Sequence, residues 1–378
     1  MLHLIAIVKY GRKAAAVLFC SILFLPICFT QAYGKDFDKA VPACVYPHVR
    51  DPSDANPDES FPIEPPLADF IEQFSSKYHI DKNRLYCLFR RTNLNHTAIR
   101  LMKPATSGKT RNWQTYRQRM IEPVRLAAGA RFWNTYEKYL DKAEKKYGVP
   151  AYIIVGIIGI ETIYGKDTGR FRTLDALTTL AFYYPDTPNR VARQEFFRKE
   201  LEQFLLMTIQ ENTDPLSIYG SYAGAIGWPQ FMPGSIRAYA VDFDGDGKID
   251  LENSPVDAIG SVANFLKQHG WKTGKPVIFP AEAEADCPLP VTLFNQGLKA
   301  TYTLKELNAQ CISTDSNTTD GLLYGLIDLQ NGLYPTEYRI GTDNFFAITR
   351  YNRSYFYAMS VIELGRKIFL EKSGKYFE

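Results

Sequence analysis

One stretch of the chain, Val149 to Gly165, is apolar at nearly every position, so no face of a helix built from it would be polar. Pro150 suits the first turn of a helix, where a missing N–H has no consequence, and Gly165 suits a C′ position with positive φ. A helix that is apolar on every face is normally buried on every face. The pattern therefore predicts a short buried helix in which Glu161 is the one ionisable residue.

Amphipathic patterns elsewhere predict that most of the chain is helical. Residues 67–78 place apolar side chains at the spacing of one helix face, and Asp81 is positioned to cap the helix that follows. Further helices are predicted at 127–147, 173–182, 194–211 and 355–371. Residues 36–66 are rich in proline and aspartate and residues 103–110 are polar, so both segments are predicted to be irregular.

Beyond Trp271 the pattern changes to short segments that are rich in β-prone residues and mostly bounded by turn residues. These segments are 275–280, 289–294, 321–329 and 338–340. We expect a small β-containing insertion at about 275–345, after which the chain returns to helix and rejoins the core. The predicted fold class is therefore mainly α (α+β).

The first 34 residues have the pattern of a secretory signal. Three basic residues precede an apolar run over 14–29, and a small-x-small cleavage site ends at Gly34. The mature chain is expected to begin near Lys35 and to be exported. An uncleaved anchor is one alternative, although about sixteen apolar residues are short for a bilayer span. A lipoprotein lipidated on Cys28 is the other.

Net charge excludes one class of partner. The chain has 44 basic and 41 acidic residues, and the predicted signal carries three of the basic ones and no acidic residue. The mature chain is thus expected to be about neutral. Neutrality gives no support to nucleic-acid binding.

Four cysteines remain after the predicted signal, an even number that favours two disulfides in an exported chain. The simplest pairing joins Cys44 to Cys87 and Cys287 to Cys311, while the other two pairings stay open. Zinc is not expected, because the chain contains no CxxC motif.

Glu161 is the first candidate for chemistry. A carboxylate in an apolar helix is dehydrated, which disfavours its charged form and raises its pKa, as a general acid near neutral pH requires. Two structural alternatives stay open for this stretch. Glu161 can be paired with an arginine or capped by backbone donors, and Gly156 and Gly159 can serve close helix packing.

A second motif, DFDGDGKID at 242–250, matches the start of an EF-hand calcium loop. Acidic oxygens fall at loop positions 1, 3, 5 and 9, Gly247 falls at the turn position, and Lys248 offers its backbone carbonyl. Position 12, where a bidentate Glu is usual, is Asn253, so Asp257 is expected to supply the missing carboxylate. The alternative is a solvated turn that is rich in aspartate and glycine.

Between these motifs, GSYAGAIGWPQFMP at 220–233 combines glycines, aromatics and two polar side chains, as a tight loop beside a cleft would. Together with IIVGIIGIET around Glu161, the calcium-loop motif followed by PVDAIGSVANFL, and ITRYNRSYFYAMSVIELG at 348–365, this run resembles the lytic murein transglycosylase B family. The resemblance covers about 66–365 with the motifs in family order.

The resemblance implies a lysozyme-like helical core with a structural calcium site, a flanking helical part and a small β part. The implied organisation is a signal peptide (1–34), a lead-in and helical part (35–111), a catalytic core (112–274), the β-containing insertion (275–345) and a C-terminal helix (346–378). A periplasmic monomer that acts on glycan strands of peptidoglycan is implied, with a lipid-anchored form as the less favoured alternative.

The implied reaction is non-hydrolytic cleavage of the MurNAc–GlcNAc β-1,4 bond, which leaves a 1,6-anhydro-MurNAc end. Glu161 matches the family's single catalytic Glu. The positions that match glycan contacts are Ser221, Gln230, Tyr351, Asn352 and Tyr116. The positions that match calcium ligands are Asp242, Asp244, Asp246, Lys248 and Asp257.

The chain departs from the family pattern at two places. The family has basic residues directly after its Tyr-Pro, whereas here Tyr184-Pro185 is followed by DTPN, and the basic candidates for substrate binding, Arg190 and Arg193, come later. The calcium loop also has one extra residue before Asp257 relative to the family.

Two rival functions stay open on the residues alone. A hydrolytic muramidase would need a second carboxylate, about 5–5.5 or 6.5–9.5 Å from the first, and Asp167 and Asp175 are the nearest in sequence. First-turn stabilisation of a helix is the simpler role for Asp175. The other rival is a non-enzymatic glycan-binding scaffold, since fold does not fix function.

Overall fold

The computed structural model describes residues 61–104, 111–294, 296–318 and 321–374, and thirteen α-helices lie within these ranges. In chain order they are α1 Pro65–Tyr78, α2 Lys82–Arg90, α3 His96–Met102, α4 Trp113–Met120, α5 Pro123–Tyr147, α6 Ala151–Thr162, α7 Thr173–Phe182, α8 Arg190–Gln210, α9 Pro233–Tyr239, α10 Pro255–Gln268, α11 Leu304–Asn308, α12 Asp343–Tyr351 and α13 Tyr355–Ser373. The predicted mainly α fold is confirmed.

Six strands form two small antiparallel sheets. They are β1 Phe171–Arg172, β2 Tyr219–Gly220, β3 Ile278–Ala283, β4 Ile312–Ser313, β5 Gly325–Asn331 and β6 Tyr334–Gly341. β1 pairs with β2, and the larger sheet has the order β4-β3-β6-β5. In the β5–β6 hairpin Asn331 pairs with Tyr334, so two residues form the turn, and Gly332 takes the positive φ of 67° that a tight hairpin turn requires.

The core consists of two clusters, one in the helical region and one in the sheet region. Most buried apolar side chains belong to one large cluster formed by the helices, with α6 packed between α5 and α13. Gly156 faces the backbone of Val361, and Gly365 of α13 faces the backbone carbonyl of Tyr152, so the two helix backbones approach closely where no side chain intervenes. A smaller cluster, which includes Leu307, fills the sheet region.

Several predicted elements are confirmed, and others are wrong. Asp81 caps α2, accepting a hydrogen bond from Asn83 N at 2.9 Å, and α13 begins at the predicted residue. The segment 289–294 is not a strand: it forms a short 3₁₀ turn at Val291–Leu293, because Pro290 sets the turn geometry and offers no N–H to a ladder. Helix α11 was not predicted.

One disulfide prediction is confirmed, since Cys287 is bonded to Cys311 across the sheet region. Cys44, the expected partner of Cys87, lies outside the described residues, as do the predicted signal peptide and Cys28. Among the described helices, none is both long and apolar enough to cross a membrane.

Candidate active site

Glu161 stands where the central helix opens towards solvent. Every residue of α6 is buried except Ile160 and Glu161, which are half-buried. Protein atoms nevertheless surround the carboxyl group closely, and this burial raises the pKa of Glu161 to about 7. The Tyr357 hydroxyl donates a hydrogen bond of 2.6 Å to Oε1 and opposes the rise. The carboxyl group is therefore poised to exchange a proton near neutral pH.

Glu161 forms no ion pair with any residue that the structure describes. The guanidinium of Arg125, a buried arginine beside α6, binds backbone oxygens and also lies 3.8 Å from the Glu122 carboxylate. Nε donates to the Gly159 carbonyl at 2.9 Å, and Nη1 donates to the carbonyls of Arg119 and Met120 at 3.0 and 2.9 Å. These bonds satisfy carbonyls at the C-terminal ends of α4 and α6. The alternative in which Glu161 is paired with an arginine is therefore wrong.

A left-handed turn follows Glu161 directly. Ile163 and Tyr164 have φ of 52° and 58°, and Gly165 has φ of 82°. Positive φ is uncommon for a β-branched residue and costs about 1–2 kcal/mol. The Thr162 hydroxyl donates to the Trp228 carbonyl at 3.0 Å and accepts from Gly165 N at 3.0 Å, which holds the chain in this turn.

This turn corrects one prediction. Gly165 has the expected positive φ, but it is not the residue that ends the helix. α6 ends at Thr162, and Ile163 takes the left-handed cap position. Glu161 is therefore fixed between a buried helix and a strained turn, which limits how far its backbone can move.

Three tyrosines surround Glu161. Tyr351 and Tyr357 stack with ring centroids 6.3 Å apart, and the Tyr351 hydroxyl donates to the Pro229 carbonyl at 2.5 Å. Tyr116, on α4, is half-buried and packs against Phe356. Burial, and next the negative charge of Glu161, raise the pKa of both Tyr116 and Tyr351. The two tyrosines that match glycan-contact positions thus lie within the electrostatic reach of Glu161.

The loop at 220–233 is held by its own polar side chains. Ser221 Oγ accepts hydrogen bonds from Ala225 N at 3.0 Å and Ala223 N at 3.3 Å. Gln230 has a φ of 51°, and its Nε2 donates to the carbonyls of Thr168 and Gly227 at 3.0 Å each. Both side chains are half-buried, so they shape the loop and still border solvent.

Asn352, Arg190 and Arg193 form no hydrogen bond with Glu161 among the described residues. Asn352 is exposed directly after α12. Arg190 is exposed at the start of α8, and the guanidinium of Arg193 packs over the rings of Tyr184, Phe196 and Phe197 at 5.8, 4.9 and 5.0 Å. Within the described chain, no hydrogen bond or ion pair links either arginine to Glu161.

Neither candidate second carboxylate contributes to the raised pKa of Glu161, which burial and Tyr357 determine. Asp175 is buried and accepts hydrogen bonds from Arg172 at 2.8 and 2.9 Å and from Asn93 N at 3.1 Å. Its carboxylate therefore ties the first turn of α7 to its neighbours. Asp167 is exposed, in the segment after the left-handed turn.

An acidic loop, residues 242–253, leads into α10. Carboxylate oxygens of Asp242, Asp244 and Asp257 lie within 4.8 Å of one another. Gly245 and Gly247 take φ of 86° and 91° at the sharp turn. Asp246 Oδ1 accepts from Lys248 N at 2.8 Å and lies outside this group of three.

Asp257 is the buried member of the group, with 1% of its surface exposed. It accepts hydrogen bonds from the N–H groups of Phe243, Asp244 and Asp250 at 2.7, 3.4 and 2.9 Å. Burial raises its pKa, and these backbone donors oppose the rise. Asn253, at loop position 12, donates to Asp250 instead. The donor set of hard carboxylate oxygens suits a calcium ion.

The sequence patterns missed two residues of this site. Tyr357 carries the hydrogen bond to Glu161 and comes from a helix 196 residues further along the chain. Arg125 joins the ends of α4 and α6 from the first turn of α5. Tyr357 lies in the first turn of the predicted helix at 355–371, beside other aromatic residues. This aromatic cluster, ahead of the apolar face of the helix, was the sequence signal that could have indicated its role.

The arrangement supports chemistry with one carboxyl group. A carboxyl with a pKa of about 7 holds its proton part of the time near neutral pH, so it can donate a proton and then accept one. Tyr357 stabilises its charged form through the hydrogen bond. No other carboxylate in the described part of the chain contributes to the shift of the Glu161 pKa.

Comparison with known proteins finds relatives that match most of the chain. A family model described as "Transglycosylase SLT domain" matches residues 63–366. The chain is 41% identical over 320 residues to membrane-bound lytic murein transglycosylase B of Escherichia coli (strain K12), covering 82% of this chain and 85% of that protein.

Two solved structures are similar. Escherichia coli lytic transglycosylase Slt35 in complex with calcium is 41% identical, with a TM-score of 0.72, and the match covers 82% of this chain and 94% of that one. SltB3 from Pseudomonas aeruginosa in complex with NAG-anhNAM-pentapeptide is 26% identical, with a TM-score of 0.67, and the match covers 80% of this chain and 79% of that one.

Proposed function

The chain belongs to the transglycosylase SLT domain family, and we infer that it is a lytic transglycosylase that cleaves the MurNAc–GlcNAc β-1,4 bond of peptidoglycan without water. The observation that carries this inference is the single carboxyl group of Glu161, whose pKa is raised to about 7 by burial and which has no carboxylate partner among the described contacts. The lysozyme-like fold and the murein-cleaving relative agree with it.

The reaction needs two proton transfers and one acid–base group. Protonated Glu161 donates its proton to the glycosidic oxygen as the bond from C1 of MurNAc to that oxygen breaks. The N-acetyl oxygen of MurNAc stabilises the positive charge that develops at C1. The Glu161 carboxylate then takes the proton of the C6 hydroxyl as O6 bonds to C1, which closes the 1,6-anhydro ring and restores protonated Glu161.

The neighbouring residues set the conditions for these transfers. The Tyr357 hydrogen bond stabilises the carboxylate that forms after the first transfer. The left-handed turn after α6 fixes the backbone of Glu161, so that the carboxyl group meets the glycosidic oxygen in one geometry. We assign glycan contacts to Tyr116, Tyr351, Ser221, Gln230 and Asn352, since they match family positions; Arg190 and Arg193 are the weaker candidates.

Product mass tests the reaction. Purified peptidoglycan is digested with wild type and with Glu161→Gln, and the soluble products are analysed by mass spectrometry. Wild type is expected to give ends that are lighter by one water than hydrolysed ends, and Glu161→Gln is expected to lower release by about 10²-fold or more. Hydrolysed ends would support a muramidase, and undiminished release by Glu161→Gln would contradict the role of Glu161.

A calcium ion in the acidic loop is part of the proposal. Asp242, Asp244 and Asp257 converge, and Asp257 is buried where an uncompensated charge is costly. Asp246 and the Lys248 carbonyl stand in the same loop as further oxygen donors. Calcium would supply positive charge that binds this loop to α10, and it takes no part in the proton transfers.

We also propose that the mature chain is periplasmic. The signal pattern of residues 1–34 and the Cys287–Cys311 disulfide support export, and peptidoglycan lies in that compartment. We further propose that the mature chain consists of a lead-in, a catalytic core, a β-containing insertion and a returning C-terminal helix. We propose that it is a monomer.

A further inference from the structure

We propose that Asn331, in the β5–β6 hairpin, is a positioning residue for the cleft, by which we mean the side chains of Tyr116, Tyr351 and Tyr357 around Glu161. It acts through α4, the helix that carries Tyr116. The proposal rests on the proposed function, because it assigns Tyr116 a contact with the glycan. It gives the small sheet a part in the reaction that no sequence motif in that region indicates.

Asn331 caps α4 from a distant part of the chain. Its Oδ1 accepts a hydrogen bond from Gln114 N at 3.0 Å, across 217 residues of sequence. Asn112, directly before the helix, accepts from Thr115 N at 2.8 Å. The first N–H groups of a helix have no partner within the helix. Two asparagines therefore satisfy two of them, one from the local chain and one from the sheet.

Asn331 is itself held rigidly. Its side chain is buried, with 4% of the residue exposed, and Nδ2 donates to the Pro335 carbonyl and to Glu337 Oε1 at 3.2 Å each. Its carbonyl accepts from Asn112 Nδ2 at 3.3 Å. The next residue, Gly332, donates its N–H to the Arg111 carbonyl at 2.8 Å. The hairpin and the start of α4 thus form one hydrogen-bonded unit.

This unit reaches the cleft through aromatic packing. Trp113 is fully buried against Phe356, with ring centroids 5.4 Å apart, and Tyr116 packs on the same ring at 5.6 Å. Phe356 directly precedes Tyr357, which bonds Glu161. A displacement of the first turn of α4 would therefore move Tyr116 relative to Glu161.

The two ends of α4 are held by different parts of the protein. Arg125 binds the carbonyls of Arg119 and Met120 at the C-terminal end and ties them to α6. Among the described hydrogen bonds, those between α4 and the sheet lie at its N-terminal end, where Asn331 accepts from Gln114 N and Glu337 accepts from the Gln114 side chain. Loss of Asn331 should leave the Arg125 contacts in place and loosen the end nearer Trp113 and Tyr116.

The first test compares two variants that each remove a cap in the sheet region. Asn331→Ala is expected to lower kcat/KM on soluble glycan strands by about tenfold, because a small misplacement of a binding group is costly. Thr303→Ala, the matched control, removes the capping box of α11, whose described cap bonds join Thr303 to Glu306 and do not involve α4. It is expected to change kcat/KM by less than about twofold. Equal losses in the two variants would overturn the proposal.

A double-mutant cycle with Tyr116→Ala separates positioning from general weakening. If Asn331 acts through Tyr116, the tenfold loss should shrink to nearly none in the Tyr116→Ala background. Full additivity would overturn the proposal while leaving the function intact, because the function is tested separately by the mass of the product ends and by the activity of Glu161→Gln. The pH dependence of turnover should be the same in wild type and Asn331→Ala.

A rescue variant guards against a failure to fold. Asn331→Asp keeps the acceptor for Gln114 N but loses the donor and places a carboxylate beside Glu337, so it is combined with Glu337→Gln. Glu337 also accepts a hydrogen bond from Gln114 Nε2 and pairs with Arg339, so Glu337→Gln alone is the reference. The double variant is expected to come within about threefold of the activity of that reference. Thermal unfolding of every variant is recorded, and failure of the rescue in a folded protein would contradict the proposal.

Discussion

Two regions of the molecule each bury a carboxyl group, and they treat it in opposite ways. Glu161 sits among apolar residues of α6 and receives one hydrogen bond, from Tyr357. Asp257 sits in the first turn of α10, accepts hydrogen bonds from three backbone N–H groups, and faces two further aspartates. Burial raises the pKa of both groups.

The difference lies in what each neighbourhood does with the charge. Around Glu161 the protein provides little that favours the anion, so the neutral form persists to about pH 7. Around Asp257 the backbone donors and the helix N-terminus favour the anion, and the convergent carboxylates make a cation the natural partner. Burial raises the pKa of both carboxyl groups, so burial alone does not define a catalytic carboxylate, and the two groups differ in the number of fixed donors that oppose the rise.

The largest effect on stability is expected at Glu161. Its pKa of about 7 in the folded protein exceeds the ordinary 4.5, so the stability that its neutral form contributes is complete below pH 4.5 and is lost as pH rises through 7. Glu161→Gln is neutral at every pH. At pH 8 it should unfold with a free energy higher than that of wild type by up to about 3 kcal/mol.

Chemical denaturation at pH 8 and pH 4.5 measures this difference. At pH 4.5 the wild type and Glu161→Gln should be nearly equal, because both side chains are then largely neutral. A stability difference that is the same at the two pH values would show that the pKa of Glu161 is not raised in the folded protein.

Calcium binding near Asp257 should change the stability of the protein by a similar amount. Chelation is expected to lower the melting temperature, and calcium at about 100 times its dissociation constant should restore about 3 kcal/mol. Asp257→Asn should abolish that response, because it removes the buried anion of the group of three. Turnover at temperatures where the variant is folded should stay within about twofold of wild type.

Glu161→Gln is the matched control for the calcium experiment, since it should respond to chelator and calcium as wild type does. An Asp257→Asn variant that still gains stability with calcium would place the ion elsewhere. A variant that is fully folded but inactive would mean that the acidic loop takes part in the reaction.

A smaller effect is expected for Tyr357→Phe. Its hydroxyl lowers the pKa of Glu161, so the variant should shift the alkaline limb of the turnover profile to higher pH. Loss of a hydrogen bond to the charged form, worth about 1.5 kcal/mol, should reduce turnover by about tenfold. Initial rates from pH 5 to 9 test both effects. If the alkaline limb does not shift, Tyr357 does not influence the titration of Glu161.

The smallest effect is expected for Asp246→Asn. Asp246 is exposed and lies outside the group of three carboxylates. Its substitution should change the free energy of unfolding by less than about 0.5 kcal/mol and leave most of the calcium response. Thermal unfolding with and without calcium measures this. A loss as large as that of Asp257→Asn would make Asp246 an equal ligand.

The comparison also shows what local patterns can predict. The apolar run predicted α6 and the environment of Glu161, because composition alone decides that such a helix is buried. The spacing of aspartates and glycines predicted the acidic loop, because its turn geometry is local. The same kind of reasoning failed at 289–294, where β-prone residues follow Pro290 into a 3₁₀ turn.

What the patterns missed depends on contacts across the chain. The hydrogen bond from Tyr357 spans 196 residues, and the cap from Asn331 spans 217. No periodicity encodes such pairings. The left-handed conformation of Ile163 could not be predicted from the sequence for a related reason. It is unfavourable for that residue type and is imposed by the surrounding contacts.

The raised pKa of Glu161 has a consequence for inhibitor recognition. Below pH 7 the cleft presents a neutral hydrogen-bond donor, and above pH 7 it presents an anion. A sugar mimic with a protonated amine at the position of the glycosidic oxygen therefore meets its counter-charge only in the second state. Its affinity should grow with pH relative to that of an uncharged mimic, so a pair of such ligands would read the protonation of Glu161 without any turnover.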